Sequence, residues 1–347
     1  MRKVPRGIIW FIENHDCFYV LGHREPDGDC IGSQLALASF LKSLGKRVHL
    51  LSSGPFTRSE ILQYEYKFRD EAPPERDFER AAALVLDCSS MARIGSVGET
   101  MPKVPVAFID HHASGETPGE SDYLDPSASA VTAMVFLLME AMGHKPSREE
   151  AELLFFGLCT DTGFFRHLDE KGDSTFEIAA RMVKAGASPK KIYNAINGGK
   201  PLFSRKLLGE ILLRIEPHFD GRLLISFLSL EDQQRYGMAS RDSDLLYQLM
   251  MSVAGCEACF VIKQEAEDQC TVGFRSKERI DVSAIAARFG GGGHRLASGL
   301  SIQGNIESVK ALLLDSFAEL FTEDEFPEEP SWDNAYPSSE KAVSNKD

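Results

Sequence analysis

The chain has 347 residues, of which 43% are hydrophobic, and a formal net charge of −14 at pH 7. This length and apolar content suffice for two buried cores, so we expect two domains. The negative charge disfavours tight binding to long nucleic acid, because such affinity comes largely from neutralising many phosphates. Any nucleic-acid substrate should therefore be short.

Cysteine usage and hydropathy indicate the compartment. The seven cysteines are an odd number scattered through apolar runs, which is typical of a reducing environment. Glu13 interrupts the apolar run near the N-terminus, which leaves that run too short for a signal peptide. No segment approaches the roughly 20 apolar residues of a membrane span. We therefore expect a cytoplasmic protein that does not interact with membranes.

The first half of the chain alternates apolar runs with helical patterns. The strand candidates are residues 17–22, 47–52, 84–87 and 106–110, and the first helical pattern covers residues 31–44. Fully apolar strands that alternate with helices are typical of a parallel sheet covered on both faces. The fold class predicted here is a Rossmann-like α/β domain.

Further elements follow in the same half. Residues 57–78 predict a helix and then a loop, and the Gly-, Pro- and Ser-rich residues 114–120 predict a second loop. Ser147 to Glu150 fit a capping box at the start of a helix that carries Asp161. Residues 174–185 predict one more helix.

The second half predicts a smaller α/β domain with a mixed sheet. A helix from about Phe203 should link the two domains, and Asp220-Gly221 should form the tight turn of an antiparallel hairpin. Further strands are expected at 258–264, at 270–276 and after Gly299, with a closing helix over 306–321. The predicted organisation is residues 1–195, a linker at 196–210, residues 211–321, and a disordered acidic tail at 322–347.

Side chains suited to metal binding stand where apolar runs end. In an open α/β sheet these positions meet at the carboxyl edge, where ligands bind. Imidazole nitrogen combined with carboxylate oxygen suits a divalent ion such as manganese, and the absence of a thiolate ligand argues against structural zinc. The residues concerned are His23, Asp27, Asp29, Asp87, Asp110, His111, His112 and Asp161.

These stretches resemble the four motifs of the DHH phosphoesterase family, whose title motif is Asp110-His111-His112. The run from Gly290 to Arg295, with Ala297-Ser298-Gly299, resembles the glycine-rich motif of the family's DHH-associated C-terminal domain. The resemblance spans residues 17–303. In length and in its pairing of domains, the chain is most similar to the small bacterial oligoribonucleases that also dephosphorylate phosphoadenosine phosphate.

The resemblance implies a centre with two Mn²⁺ ions, for which Mg²⁺ or Co²⁺ could substitute. It makes His23 and Asp27 ligands of one ion, and Asp29 and His111 ligands of the other. Asp87 would bridge the two ions, and Asp161 would complete the metal ligands.

The resemblance also implies catalytic and substrate-binding residues. Asp110 would orient an imidazole, and His112 would face the scissile phosphate. The residues implied in binding the terminal nucleotide or its phosphate are Arg275, Ser276, Gly290, Gly291, Gly292, Gly293 and His294.

The implied activity is that of a manganese-dependent phosphoesterase. It would degrade very short oligoribonucleotides to mononucleotides and dephosphorylate 3'-phosphoadenosine 5'-phosphate (pAp) to AMP. Two alternatives stay open: hydrolysis of cyclic di-AMP or linear pApA, and a non-catalytic nucleotide- or RNA-binding module. The expected partners are short oligonucleotides and nucleotides, without long nucleic acid, and a homodimer also stays open.

Overall fold

The computed structural model describes residues 3–73, 80–112, 119–170, 172–237, 243–277 and 279–322. It consists of two units, Met1–Gly199 and Lys200–Asp347, and the boundary in the sequence falls within residues 196–210, where a linker was predicted. The loop predicted at 114–120 and the tail predicted at 322–347 lie almost entirely outside the described residues. No helix in these ranges is long and apolar enough to cross a bilayer.

Unit 1 is built on a five-stranded sheet with the order β2-β1-β3-β4-β5, and all its paired strands run parallel. This confirms the predicted parallel sheet, although the two-residue β5 is too short to show a sequence pattern. The strands are β1 (Cys17–Gly22), β2 (Arg47–Leu50), β3 (Ala81–Leu86), β4 (Val106–Asp110) and β5 (Tyr123–Leu124).

Both faces of this sheet are buried. In β1, Phe18 and Val20 belong to one apolar cluster, whereas Tyr19 and Leu21 belong to another. Because successive side chains of a strand point to opposite faces, the two clusters are the cores on the two sides of the sheet. Because both faces of the strand are buried, every position of the strand is apolar. This explains the continuous apolar runs in the sequence.

Seven α-helices are described in unit 1. They are α1 (Arg6–Asn14), α2 (Gly28–Ser43), α3 (Val97–Thr100), α4 (Val131–Ala141), α5 (Arg148–Asp161), α6 (Asp173–Lys184) and α7 (Pro189–Asn197). The helix predicted within residues 57–78 is wrong: the described part contains a short 3₁₀ helix, Leu62–Lys67, with no buried residue. Without an apolar face to bury, this segment gains little from becoming an α-helix.

The capping box predicted for α5 is confirmed. Ser147 Oγ accepts a hydrogen bond from Glu150 N at 3.2 Å, and the Glu150 carboxylate accepts one from Ser147 N at 2.8 Å. Two main-chain donors at the helix start are thus satisfied by side chains. This fixes the beginning of the helix whose last residue is Asp161.

Glycines allow α2 and α5 to cross in close contact. A Cβ atom at Gly32 would lie 2.6 Å from the Leu153 carbonyl oxygen, and one at Gly28 would lie 2.4 Å from Thr160 Oγ1. The early part of α2 therefore lies against the late part of α5. This contact brings Asp29, in the first turn of α2, towards Asp161.

Unit 2 contains a mixed sheet, as predicted, and the structure shows six strands in the order β10-β11-β9-β8-β7-β6. Only β7 and β8 pair in parallel among its described strands. The strands are β6 (Glu216–His218), β7 (Leu223–Leu228), β8 (Ala258–Ala266), β9 (Gln269–Ser276), β10 (Gly292–His294) and β11 (Ala297–Gln303).

The described helices of unit 2 are α8 (Leu202–Leu213), α9 (Leu230–Tyr236), α10 (Ser243–Met251), α11 (Val282–Arg288) and α12 (Ile306–Thr322). The hairpin predicted at Asp220-Gly221 is confirmed, since β6 and β7 pair antiparallel and both turn residues have positive φ. Its first strand is shorter than expected, because residues 210–213 continue α8.

Candidate metal centre

The carboxyl ends of three neighbouring strands carry five of the predicted site residues of unit 1. His23 follows β1, Asp87 follows β3, and Asp110 ends β4 ahead of His111 and His112. Since β1, β3 and β4 are adjacent in the sheet, these side chains converge at one edge.

Asp87 lies at the centre of the cluster. Its Oδ2 is 3.3 Å from His23 Nε2, and its Oδ1 is 3.6 Å from His111 Nε2, so the two oxygens face different imidazoles. The side chain is buried, and its residue has a φ of +62°. Asp tolerates this left-handed conformation better than most residues, and conformations of this kind concentrate at functional sites.

Hydrogen bonds fix the tautomers of two imidazoles. His23 Nδ1 lies 2.7 Å from Arg24 O, and His111 Nδ1 lies 3.1 Å from Ala128 O. Because a carbonyl oxygen only accepts, each Nδ1 must donate, and in the neutral ring Nε2 then carries a lone pair. These lone pairs face carboxylate oxygens, which is an unfavourable arrangement unless a cation or a proton lies between them.

The distances fit a divalent cation. Ligand atoms placed about 2.1 Å from one ion are about 3.0–3.4 Å apart. The spacings around Asp87 are close to this range, and His111 Nε2 is also 3.6 Å from Asp161 Oδ2. The donor set of imidazole nitrogens and carboxylate oxygens therefore suits a metal such as manganese.

Asp29 joins the cluster from the first turn of α2. Its carboxylate accepts hydrogen bonds from Val131 N (2.6 Å), Thr132 N (2.9 Å) and Thr132 Oγ1 (2.6 Å), at the start of α4. Its ligand atom also lies within 4.8 Å of those of His111 and Asp161. Thr132 thus positions a predicted ligand, although no local sequence signal links residues about a hundred positions apart.

Asp27 occupies a different position from the other predicted ligands. Its Oδ1 caps α2 by accepting hydrogen bonds from Asp29 N and Cys30 N, both at 3.0 Å. In the described part of the chain, Asp27 is not among the groups whose ligand atoms lie within 4.8 Å of one another. Its negative charge nevertheless raises the pKa of Asp87, in addition to the larger effect of burial and the effect of Asp29.

The clustered carboxylates resist ionisation. Burial, followed by the charge of Asp29, raises the pKa of Asp161 to about 7. Burial also raises the pKa of Asp87 and Asp29 above the usual range, and neighbouring carboxylates add to both shifts. A bound cation would remove this mutual repulsion, so the electrostatics of the cluster favour metal binding.

Cys30 is an unexpected member of the cluster. Its Sγ lies within 4.8 Å of ligand atoms of His23 and Asp87, because the turn at Asp27 brings the first residues of α2 back to the site. Burial, and then the charges of Asp87 and Asp27, raise the pKa of the thiol well above its usual value. The structure thus adds a sulfur atom to the cluster, and the raised pKa favours its thiol form over the thiolate.

Asp110 and His112 form a pair at the edge of the cluster. His112 Nδ1 lies 2.7 Å from Asp110 Oδ1, and His112 N donates to the same oxygen at 3.2 Å. Burial raises the pKa of Asp110, but the hydrogen bonds and charge of His112 outweigh it and lower this pKa overall. The hydrogen bond to Asp110 in turn raises the pKa of His112, whose side chain is 37% exposed.

In unit 2, the predicted substrate-binding residues differ in how far their polar groups are already used. The Arg275 guanidinium lies over the Tyr247 ring, 4.5 Å from its centroid, and Nη1 donates to Phe274 O at 2.8 Å. The buried Ser276 hydroxyl donates to Ile280 O at 2.7 Å. The Arg275 guanidinium is therefore held in place by two contacts. The Ser276 hydroxyl already donates its proton to a main-chain oxygen and so cannot donate it to a ligand at the same time.

The glycine run is a hairpin at the edge of the sheet. Gly290 N and Gly291 N donate to Ala287 O and Ala286 O, so these two N–H groups are already used within the fold. Gly292 to His294 form β10, which is exposed and pairs with β11. A Cβ at Gly293 would lie 2.6 Å from Ser298 Cα, so this close pairing requires glycine.

Two family models match the chain. The DHH family, N-terminal domain, matches residues 17–158, and the DHHA1 domain matches residues 220–323. The first covers the cluster in unit 1 apart from Asp161, and the second covers the glycine run in unit 2.

Comparisons with individual proteins agree with these matches. The bifunctional oligoribonuclease and PAP phosphatase NrnA of Thermus thermophilus is 30% identical over 306 residues, covering 88% of this chain and 90% of that protein. The Bacillus subtilis protein of the same name is 28% identical, with coverage of 85% and 92%. The crystal structure of an exopolyphosphatase-related protein from Bacteroides fragilis has a TM-score of 0.78 at 23% identity, covering 93% of this chain and all of that one, which shows a shared fold. The chain therefore belongs to the DHH phosphoesterase family and carries the family's DHHA1 domain.

Proposed function

We propose that this protein is a manganese-dependent phosphoesterase that degrades very short oligoribonucleotides to mononucleotides and dephosphorylates pAp to AMP. The observation that carries the proposal is the buried Asp87 carboxylate, whose two oxygens face the imidazoles of His23 and His111. A carboxylate in this position can be shared by two cations. The substrate class is supported by the similarity to the two NrnA proteins.

The proposal assigns the cluster as a site for two Mn²⁺ ions, which Mg²⁺ or Co²⁺ could replace. When bound, such a pair activates a water molecule and stabilises the entering and leaving oxygens of a phosphoryl displacement. Asp87 is the proposed bridging ligand. The other proposed ligands are His23, Asp27, Asp29, His111 and Asp161.

His112 is the proposed catalytic group that faces the substrate phosphate. Its raised pKa favours the protonated imidazole, which can donate a hydrogen bond to a phosphoryl oxygen or a proton to the leaving oxygen. Asp110 holds the ring in position through Nδ1 and leaves Nε2 for the substrate. This division of roles is that of an acid and its orienting carboxylate.

Unit 2 is proposed to bind the terminal nucleotide. Arg275 carries a permanent positive charge on a rigid platform, and His294 is exposed at the edge of the sheet. Gly292 and Gly293 would let a ligand approach the strand closely. Such a small number of contacts suits a short substrate better than a long one.

An assay with purified protein tests the proposal. RNA of two to five nucleotides, pAp, cyclic di-AMP and pApA are incubated with Mn²⁺, and again with excess chelator. We expect turnover of short RNA and pAp that requires the metal. Turnover of the cyclic or linear diadenylate alone would establish the alternative activity, and turnover of none would leave the non-catalytic binding module.

We also expect Mn²⁺ to stabilise the protein more at about pH 8 than at about pH 5.5. The pKa values of Asp29, Asp87 and Asp161 are raised in the metal-free fold, that of Asp161 from 3.8 to about 7. Because these pKa values are higher in the fold than in the unfolded chain, the metal-free protein loses stability progressively as the pH rises and the groups ionise. A cation must displace their protons and offsets the repulsion once they are ionised, so its effect grows with pH.

Thermal unfolding with and without Mn²⁺ across this pH range measures the effect. His111 acts in the same direction: burial lowers its pKa, but the charges of Asp161, Asp29 and Asp87 outweigh burial and raise it. Its proton must also leave before Nε2 can bind a metal. An increase in melting temperature that is the same at both pH values would contradict a site made of these groups.

Replacing Asp110 by Asn should move the alkaline limb of the pH–rate profile to lower pH. The hydrogen bond that His112 donates to Asp110 is the largest cause of the raised pKa of His112, and the charge of Asp110 adds to it. The amide of Asn carries no charge and accepts a weaker hydrogen bond, which lowers that pKa, so a required His112 proton is lost at lower pH. We expect activity to fall by about 10- to 100-fold as well, as is typical when an orienting partner is removed. An unshifted limb would show that His112 does not act as an acid.

A further inference from the structure

A polar cleft opens beside the metal-ligand cluster in unit 1. It has a volume of about 430 Å³ and is lined by His23, Arg24, Glu25, Ala92 and Arg93. The two arginines are exposed, and neither forms an ion pair within the described ranges of the chain. Two uncommitted guanidinium groups beside a cluster of carboxylates are available to bind an anion.

The backbone of this cleft is fixed by several hydrogen bonds. Arg24 N donates to Arg93 O at 2.8 Å, which joins the loop after β1 to the 3₁₀ helix Met91–Arg93. Ser53 Oγ donates to Ile94 O at 2.6 Å and accepts from Val97 N at 2.9 Å. Both arginines therefore start from adjacent, tied segments, which lowers the entropic cost of holding one ligand between them.

Charge in the cleft extends to the proposed catalytic histidine. The hydrogen bond to Asp110 raises the pKa of His112, and the positive charge of Arg93 acts in the opposite direction. Arg93 thus lines a cleft that begins at His23 and is also within electrostatic range of His112. An anion held by Arg93 in this cleft would lie beside His23, which also lines it.

The chemistry of the cleft suits a phosphate group. The planar guanidinium matches two oxygens of a phosphate at once, with charge-assisted hydrogen bonds. Glu25 contributes one negative charge, but the two arginines leave the cleft with a formal charge of +1 when His23 is neutral. The neighbouring carboxylates would repel a phosphate without such compensation.

We propose that Arg24 and Arg93 form a phosphate-binding wall that holds the phosphoryl group of the substrate beside His23. This inference rests on the proposed phosphoesterase function and adds to it, because it assigns phosphate contacts to unit 1 that neither the ligand cluster nor the glycine run supplies.

The test uses the full-length protein loaded with Mn²⁺ and the variants Arg93→Ala, Arg93→Lys and Arg24→Ala. We expect Arg93→Ala to lower kcat/KM by about 10- to 100-fold, the usual weight of a lost charge-assisted hydrogen bond. Inhibition by inorganic phosphate should weaken in parallel. Arg93→Lys should retain part of the activity, and added guanidinium ion should partly restore Arg93→Ala.

Arg80→Ala is the matched control. Arg80 is also an exposed arginine of unit 1, but it precedes β3 at the end opposite Asp87 and pairs with Asp16. Its removal should leave kcat/KM and phosphate inhibition unchanged. Stabilisation by Mn²⁺ should be the same in the wild type, Arg93→Ala and Arg80→Ala, because none of the changes touches a ligand.

Calorimetric titration with inorganic phosphate separates the two proposals. If the wild type turns over no substrate but binds phosphate more tightly than Arg93→Ala, the proposed function is refuted and the phosphate-binding wall is supported. If the wild type is active and both Arg93→Ala and Arg24→Ala keep full kcat/KM and phosphate inhibition, the proposal of a phosphate-binding wall is wrong. Loss of Mn²⁺ stabilisation in Arg93→Ala would overturn it too, since Arg93 would then act through the fold.

Discussion

Replacing Asp87 by Asn should abolish phosphoesterase activity, with a loss of about 10³-fold or more in kcat, while the metal-free protein becomes more stable. The amide keeps the shape of the carboxylate and also tolerates the left-handed φ of +62°. It cannot, however, offer a carboxylate that is shared by cations bound next to His23 and His111.

The gain in stability follows from the raised pKa of Asp87. Burial, and then repulsion from Asp29 and Asp27, raise this pKa, so the ionised group is less favourable in the fold than in the unfolded chain. The cost is present at neutral pH and disappears as pH falls and the group is protonated. Asn removes the charge, so the variant should melt at a higher temperature than the metal-free wild type at neutral pH.

Thermal unfolding and kinetics on one set of samples check both effects. Asp87→Asn should also lose most of the stabilisation that Mn²⁺ gives the wild type. The control is Asp16→Asn, an exposed aspartate at the opposite end of the sheet, which pairs with Lys46 and Arg80. An Asp87→Asn variant with wild-type turnover would remove Asp87 from the proposed site.

Replacing Gly32 by Ala should destabilise the protein by about 1–3 kcal/mol, the usual cost of overpacking. The new Cβ would lie 2.6 Å from the main-chain oxygen of Leu153, which cannot rotate away as a side chain can. Helices α2 and α5 must then separate, and with them Asp29 and Asp161. We expect Mn²⁺ affinity to fall as well.

Gly209→Ala provides the control for helix propensity. Gly209 lies in α8, and a Cβ there would have no atom within 4 Å. Alanine should stabilise this helix by about 0.5–1 kcal/mol, because it loses less backbone entropy than glycine. Denaturant unfolding and Mn²⁺ titration of both variants test the prediction. Equal stabilisation by the two substitutions would show that α2 and α5 do not depend on a close crossing at Gly32.

Local patterns in the sequence determined much of the fold. The continuous apolar runs of β1 and β3 predicted a parallel sheet, because only strands buried on both faces lack polar positions. The capping box at Ser147 and the turn at Asp220-Gly221 could also be predicted from the sequence, since each depends on residues a few positions apart. The same logic placed His23, Asp87 and His111 at strand ends.

Other features were decided by the tertiary structure alone. Thr132 positions Asp29 from about a hundred residues away, and Cys30 enters the cluster because Asp87, which follows a distant strand, lies close to it. The cleft formed by Arg24 and Arg93 depends on a backbone contact between two separate loops. The sequence by itself determined which side chains stand at the ends of strands, because strand burial and turns are local properties of the chain. Which of these side chains meet, and which oxygen faces which imidazole, depends on packing between segments distant in the sequence, and only the tertiary structure decides that.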